Sequence, residues 1–288
     1  MGAVVSLDVE HLRSWIGRED VATDLVSADL VRKFRATLDL PEGDLAIGTP
    51  APRLLHWCLA QPAATTASLG EDGHPRRGGF LPPVPLPRRM WAGGVLTFHG
   101  ELAIGDTIRR RSRIADVVVK EGRSGVLCFV TVTHEIDVAG RGVISEIQDI
   151  VYRDLDAPSP PDAPPPKPPA AAPEGAHRYR VEPSPPQLFR YSALTFNSHR
   201  IHYDQPYVTQ VEGYPGLVVH GPLQATLLYN LASELKGAAP ARFTFRGQSP
   251  LFDTEPFFLN ADVSEGAVKL WTARAGGPPG MSAEARWS

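Results

Sequence analysis

Residues 222–235 read PLQATLLYNLASEL and form the clearest helix in the chain. Its leucines recur at helical spacing and predict one apolar face that packs on a core: Leu223, Leu227, Leu228, Leu231 and Leu235. Pro222 fits the first turn, where a missing amide proton costs no hydrogen bond, and Gly237 is typical of a helix end. The rest of the fold is arranged around this helix.

Strand-like segments surround the helix on both sides along the chain. Apolar and β-branched residues predict strands in the second half at 177–182, 242–248, 256–263 and 267–274. The first half repeats this plan, with Ser27 as the predicted N-cap of an amphipathic helix through Leu38. Strands are predicted after it at 107–119, 126–136 and 143–153, separated by turn residues. A helix followed by antiparallel strands, twice, predicts an α+β fold of two similar layers.

A proline-rich segment divides the two halves. Residues 157–173 read APSPPDAPPPKPPAAAP, and proline has no amide donor and a fixed φ, so helix and inner strand are excluded. A semi-rigid spacer is expected. We therefore predict an N-terminal unit at 1–156, a linker at 157–176 and a C-terminal unit at 177–288.

The composition narrows the class of protein. The chain has 288 residues, 42% of them hydrophobic, and a net charge of −3, which argues against a nucleic-acid binder. No apolar run is long enough to span a bilayer, and the N-terminus lacks a secretory core, so a cytoplasmic protein without a membrane partner is expected. Cys58 and Cys128 lie far apart and predict no disulfide framework.

The chemistry is concentrated in residues 189–223, FRYSALTFNSHRIHYDQPYVTQVEGYPGLVVHGPL. This stretch contains five polar residues suited to catalysis: Asn197, His199, His202, Asp204 and His220. It has few periodic apolar positions before Leu217, which predicts a functional loop docked on a rigid scaffold. The alternative is that these groups cap turns and satisfy loop amides.

Two other chemistries are conceivable for this stretch. His199 and His202 could bind a metal with Asp204 or His220 as third ligand, but the spacing is not a standard zinc signature, so no metal is predicted. Ser192 or Ser198 could serve a hydrolase, but no G-x-S-x-G elbow is present.

The start of the long helix offers a third kind of group. Amide protons at a helix start point outward, and Pro222 has none, so Gly221 and Leu223 remain as local donors. They could hold a thioester carbonyl and stabilise an enolate-like oxygen. Taken alone, the tripeptide His220-Gly221-Pro222 is better explained as an ordinary helix start.

Taken together, this stretch resembles MaoC-like hydratases and dehydratases, and most closely their hydroxyacyl-thioester dehydratase type 2 branch, which includes mesaconyl-C4-CoA hydratases. The residues that carry the resemblance are FNSHRIHYD at 196–204 and EGYPGLVVHGPL at 212–223. In the first half, Trp91 to Gly94, Gly105-Asp106 and Lys120 to Gly125 resemble the non-catalytic unit of that branch.

The resemblance implies a double hotdog: two antiparallel sheets in one chain, each wrapped on a central helix. It implies reversible hydration of an α,β-unsaturated acyl-CoA thioester, with a catalytic C-terminal unit and an acyl-binding N-terminal unit. We assign His202 as acid–base, Asn197 as the residue that positions water, and the Gly221 amide as oxyanion donor. Supporting roles are assigned to His199, Asp204, His220 and Leu223. Asn197 departs from the wider MaoC-like pattern, which has aspartate there, and an amide cannot act as a base.

The resemblance also bears on substrate and partners. A short branched thioester such as mesaconyl-C4-CoA or itaconyl-CoA is expected, bound without a cofactor other than the coenzyme A of the substrate. Four arginines near a proline-rich loop are candidates for its phosphates: Arg76, Arg77, Arg88 and Arg89. The alternatives are a 3-hydroxyacyl-thioester dehydratase of fatty-acid metabolism, a hotdog thioesterase or a non-catalytic acyl-CoA-binding protein. A monomer and a homodimer are both compatible with the chain.

Overall fold

The computed structural model describes residues 7–122, 125–154 and 169–287. In the first half, the strands are β1 (Glu19–Leu25), β2 (Arg88–Phe98), β3 (Thr107–Gly122), β4 (Gly125–Val138) and β5 (Arg141–Arg153). In the second half, they are β6 (His177–Val181), β7 (Arg242–Gly247), β8 (Phe257–Val263), β9 (Ala267–Arg274) and β10 (Pro279–Arg286). The α-helices are α1 (Val9–Arg13), α2 (Ala28–Thr37), α3 (Pro185–Leu194), α4 (Gln205–Gln210) and α5 (Gly221–Lys236).

The strands form one antiparallel sheet whose order has a mirror-like symmetry. It runs β1-β3-β4-β5-β2-β7-β10-β9-β8-β6, so five strands of the first half are followed by five of the second. The two halves join where β2 pairs with β7, from Gly93 opposite Arg246 to Thr97 opposite Arg242. The two predicted sheets are therefore fused edge to edge.

Glycine is needed at this seam. A Cβ on Gly93 would lie 2.5 Å from the carbonyl oxygen of Phe245, and one on Gly94 would lie 2.7 Å from that of Ile147. Real Cβ atoms do not approach so closely, which explains why the strand carries two adjacent glycines where it passes from one half to the other.

Helix α5 packs on β7, β8, β9 and β10 and confirms the helix predicted at 222–235. Gly237 ends it with φ at 65°, a backbone conformation that favours glycine. In the first half, Ser27 caps α2 as predicted, its Oγ accepting from the Leu30 amide at 3.1 Å. Between α2 and β2 the described chain carries two short 3-10 turns, of which Leu55–Cys58 is fully buried.

Several elements differ from the sequence prediction. The predicted strands of both halves are present, but β1, β2 and β10 were not predicted. The stretch 189–223 was predicted as a loop, and the structure corrects this, because α3 ends inside it and α4 lies wholly within it. Within the described ranges, no helix combines the length and apolarity required to cross a membrane.

The structure describes only part of the predicted linker between the two units. Residues 157–168 of the predicted linker, and Arg123 and Ser124 of a predicted turn, lie outside the described residues. The end of the linker is docked on the second half: the Ala172 amide donates to the Gly277 oxygen at 2.8 Å. Cys58 and Cys128 are free and buried, as expected of core residues.

Candidate active site

His202 is a buried imidazole whose tautomer is fixed by the backbone. It ends a 3-10 turn, Arg200–His202, and its Nδ1 donates to the carbonyl oxygen of Val218 at 2.7 Å. A carbonyl only accepts, so Nδ1 carries the proton and Nε2 keeps its lone pair. Burial lowers the pKa of His202 to about 4. At neutral pH the residue is an uncharged base with a free nitrogen.

His220 lies directly against His202. The two rings are stacked, with centroids 3.6 Å apart and planes 17° from parallel. His220 Nε2 is 2.8 Å from the Oγ of Ser192 on α3. Burial, and then the neighbouring His202, hold the pKa of His220 well below 6.5. No described residue bonds His220 Nδ1, so the Ser–His pair lacks the carboxylate that a hydrolase triad requires.

Asn197 uses one end of its side chain to cap a turn. Its Oδ1 accepts from the His199 amide at 3.0 Å, while its backbone amide donates to the Ser192 oxygen at 2.8 Å. No described residue accepts from its Nδ2. The capping alternative thus describes the oxygen, and the water-positioning role remains a prediction for Nδ2.

The start of α5 presents unpaired amide protons. Gly221 and Leu223 stand in the first turn, and none of the described residues accepts a hydrogen bond from either amide. The side chain of Leu223 is buried in the core. A Cβ on Gly221 would be 3.8 Å from the nearest atom, in Met281, so the backbone there is approachable.

Asp204 acts through Arg200. Its Oδ1 caps α4 by accepting from the Tyr207 amide at 3.1 Å, and its Oδ2 accepts from Arg200 Nε at 2.9 Å. Arg200 Nη1 in turn donates to the carbonyl oxygen of Glu71, in the first half, at 3.0 Å. The predicted supporting residue therefore contributes to the contact between the two halves.

The first half adds two residues that the sequence analysis missed, Asp72 and His74. His74 Nδ1 donates to Asp72 Oδ2 at 2.9 Å, and the His74 ring lies 4.1 Å from that of His199. The His199 ring lies 5.5 Å from that of His202. Four imidazoles, His74, His199, His202 and His220, thus form a row that we call the imidazole cluster. The available signal was an aspartate two residues before a histidine in a glycine-containing loop.

The electrostatics of the Asp72–His74 pair follow from burial. Burial opposes ionisation of Asp72, but the two hydrogen bonds and the charge of His74, together with the charge of Arg89, outweigh it and lower the pKa of the carboxyl to about 2. Burial lowers the pKa of His74 to about 4, against the influence of Asp72. Burial and the neighbouring His74 hold the pKa of His199 well below 6.5. At neutral pH the site therefore holds one carboxylate and uncharged imidazoles.

The four predicted phosphate-binding arginines have different surroundings. Arg76 donates to the Leu69 oxygen, Arg77 to the Val84 and Pro87 oxygens, and Arg88 to the Glu212 oxygen. Arg89 instead lies beside the imidazole cluster. Burial is the main cause that lowers the pKa of His74 and His199, and the positive charge of Arg89 lowers it further. A role of these arginines toward coenzyme A remains a prediction.

The polar groups whose donor atoms lie close together differ from the His199–His202 set considered from the sequence. Asp72, His74 and His199 each offer one ligand atom, and these atoms lie within 4.8 Å of one another. Asp72 and His74 are hydrogen-bonded to each other. Asp204, considered from the sequence as a third ligand beside His199 and His202, forms a salt bridge with Arg200.

A base with a free nitrogen next to unpaired helix-start amides can move a proton beside a polarised carbonyl. On a double hotdog, this defines an enzyme acting on acyl thioesters. The model of the hydroxyacyl-thioester dehydratase type 2 family matches residues 54–253, and the chain belongs to this family. The predicted hydro-lyase class is thereby confirmed.

A relative agrees with this family assignment, and solved structures share the fold. The mesaconyl-C4-CoA hydratase of Chloroflexus aurantiacus is 47% identical over 275 residues, 94% of this chain and 94% of the relative. A MaoC-like dehydratase from Phytophthora capsici shares the fold with a TM-score of 0.70 at 14% identity, over 98% of this chain and 99% of that one. A conserved hypothetical protein of Mycobacterium tuberculosis with a double hotdog fold gives 0.51 at 14% identity, over 94% and 96%. The predicted double hotdog is confirmed.

Proposed function

We propose that this protein reversibly hydrates mesaconyl-C4-CoA or a closely similar short branched dicarboxylyl thioester. The observation that carries the chemistry is the hydrogen bond from His202 Nδ1 to Val218, because it leaves Nε2 as a base. The choice of substrate is supported by the 47% identity to a mesaconyl-C4-CoA hydratase over nearly the whole chain.

The mechanism uses groups already described. The amides of Gly221 and Leu223 receive the thioester oxygen, and Asn197 Nδ2 holds a water molecule. His202 Nε2 takes one proton from that water while its oxygen bonds to Cβ, and the electron pair of the double bond moves to form an enolate on the thioester oxygen. The enolate collapses as Cα takes the proton back from the imidazolium. Dehydration follows the same steps in reverse.

Arg89 supports a substrate with an anionic end. A dicarboxylyl thioester carries a free carboxylate, which requires a cationic partner when it is removed from water. Arg89 is half-buried and lies close enough to His74 and His199 for its charge to influence both. Guanidinium geometry suits two hydrogen bonds to one carboxylate.

The direct test follows the absorbance of the conjugated thioester with purified protein. We expect turnover of mesaconyl-C4-CoA to exceed that of crotonyl-CoA and of a long-chain enoyl-CoA. Arg89→Met should lower kcat/KM for mesaconyl-C4-CoA about ten- to hundredfold, as expected for loss of a charged hydrogen bond, and that for crotonyl-CoA less than about threefold.

Arg180→Met provides the matched control, since Arg180 is an exposed residue of β6 paired with Glu182. It should leave both substrates unaffected. Equal loss on both substrates in Arg89→Met would remove Arg89 from carboxylate recognition. No hydration of any thioester would contradict the proposed function.

The alternatives give different results in the same assay. A fatty-acid dehydratase would prefer the long-chain substrate, and a non-catalytic binding protein would turn over none. A thioesterase would release free coenzyme A from a saturated thioester. Against a thioesterase, the one carboxylate of α5, Glu234, is exposed and thirteen residues beyond Gly221, about 20 Å along the axis.

The remaining features of the proposal concern the setting of the reaction. We propose that it needs no cofactor beyond the coenzyme A of the substrate, takes place in the cytoplasm, and is carried out by a monomer or a homodimer. Metal analysis, cell fractionation and sedimentation of the purified protein test these points in turn.

A further inference from the structure

The loop carrying Asp72 and His74 is locked onto the second half by its backbone. The Arg200 amide donates to the backbone carbonyl oxygen of Asp72 at 2.9 Å, and Ser198 Oγ donates to the backbone carbonyl oxygen of Gly73. Gly73 has φ at +87°, and a Cβ added to it would collide with the Ser198 oxygen. The Asp72–His74 pair is therefore held in a fixed position relative to His199.

Among the described residues of the second half, no carboxylate bonds an imidazole of the cluster. Asn197 stands where the wider MaoC-like pattern has aspartate, and Asp204 is hydrogen-bonded to Arg200 and to the start of α4. Among the described residues, Asp72 is the carboxylate that bonds an imidazole of the cluster. A base that becomes positively charged in a buried site needs such a counter-charge.

We propose that the Asp72–His74 pair of the first half completes the reaction site of the second: Asp72 is a positioning residue for His74, and the pair stabilises the imidazolium that forms on His202. This inference rests on the proposed function. In the hydration step, the water proton moves to His202 Nε2 and the positive charge appears two rings away from His74. His74, with Nδ1–H held by Asp72, keeps the lone pair on Nε2 and gives up no proton itself.

Other charged and titratable groups face the pair or the residues in contact with it. These are Arg77, Arg89, Arg200, Tyr152, Tyr207, His199, His202 and His220. The positive arginines disfavour an imidazolium, whereas the Asp72 carboxylate favours one. Removal of Asp72 should therefore have the largest effect on the stability of the His202 imidazolium.

The first test replaces the charge. Asp72→Asn should lower kcat about ten- to hundredfold with KM changed less than about threefold, as expected when a charge acts on the transition state. The acid limb of the kcat/KM profile should move to lower pH, because loss of the carboxylate makes the imidazolium harder to form. Glu71→Gln is the matched control: Glu71 is exposed, lies one residue away, and contacts Arg200 through its backbone oxygen alone. Equal losses in both variants would overturn the proposal.

The second test separates chemistry from docking. In His74→Asn the side-chain amide can still donate to Asp72, but nothing replaces Nε2. A purely structural role predicts wild-type kcat for this variant, whereas we expect a loss of at least about tenfold with the thermal midpoint preserved. His74→Asn also carries the test if Asp72→Asn does not fold.

A readout independent of turnover distinguishes this inference from the proposed function. Nitrogen-15 NMR of the imidazoles in wild type, Asp72→Asn and Glu71→Gln should show a lower pKa for His202 in Asp72→Asn alone. Unchanged His202 titration would overturn the inference even if wild type hydrates the thioester. Stoichiometric zinc that is lost in His74→Asn would also overturn it, in favour of a metal site.

Discussion

A buried imidazole works as a base only when one ring nitrogen keeps its lone pair, and the carbonyl of Val218 selects that nitrogen in His202. In His202→Asn, the amide nitrogen can still donate to Val218, but Nε2 is lost. We expect kcat to fall about 10²- to 10⁴-fold with little change in thermal midpoint, measured by steady-state kinetics and thermal unfolding.

His202→Ala is the companion variant. It also leaves the buried Val218 oxygen unpaired, which should lower the free energy of unfolding by about 1–3 kcal/mol. Wild-type turnover in His202→Asn would assign the proton transfer to another residue.

At the residue scale, the sequence predicted those site residues that lie close together along the chain. His202, Asn197 and Gly221 lie within twenty-five residues of one another, so one stretch revealed them together. Asp72 and His74 could not be found in this way, because some 125 residues separate them from His199 and their contact is one between the two halves, which join where β2 pairs with β7. Local pattern carries no information about such a pairing.

The loop at residues 71–74 is an element whose position depends on one glycine. Gly73→Ala should cost more free energy of unfolding than Gly78→Ala, although both glycines have positive φ, at +87° and +89°. The new methyl group meets the Ser198 backbone in the first case and lies 3.6 Å from Pro83 Cβ in the second. Both should lose about 1 kcal/mol for the left-handed backbone, and Gly73→Ala a further 1–3 kcal/mol, about the cost of overpacking, or else its loop should detach.

Urea unfolding of the two variants measures this difference. Their hydrogen–deuterium exchange at residues 198–204 shows whether the loop has detached. Equal stability and equal protection would mean that the loop is not held by this contact.

Elements with strong periodicity were predictable, and elements defined by pairing were not. Helix α5 and strands β3 to β5 have regular apolar patterns, and the structure extends them by only a few residues. Strand β1, EDVATDL, is mostly exposed and lacks an apolar face, so pairing with β3 determines it. Helix α3 did carry a signal, since Ser184 caps it before two prolines in its first turn.

The molecule as a whole should lose stability as the pH falls from 6.5 toward 4. Five histidines have a pKa lowered by burial: His74, His134, His199, His202 and His220. In this range the unfolded chain binds more protons than the folded one, so the free energy of unfolding falls with pH. A shift from 6.5 to about 4, as for His74 and His202, corresponds to on the order of 3 kcal/mol for each group.

Urea unfolding at intervals between pH 7.5 and 4.5 checks this expectation. The lowered pKa of Asp72 acts in a separate window, since its contribution is lost only below its ordinary value of 3.8. A free energy of unfolding that stays constant between pH 6.5 and 4.5 would contradict the burial of neutral imidazoles.

The edge-to-edge joining of the two halves restricts how such a gene can change. A second half expressed by itself would expose the β7 edge that β2 covers and would lack the loop that reaches His199. Gene fragments exchanged between relatives would therefore yield working enzymes only when the 71–74 and 198–200 segments are inherited from the same parent. Ancestry of these two distant segments should be linked, although each half has the outline of an independent module.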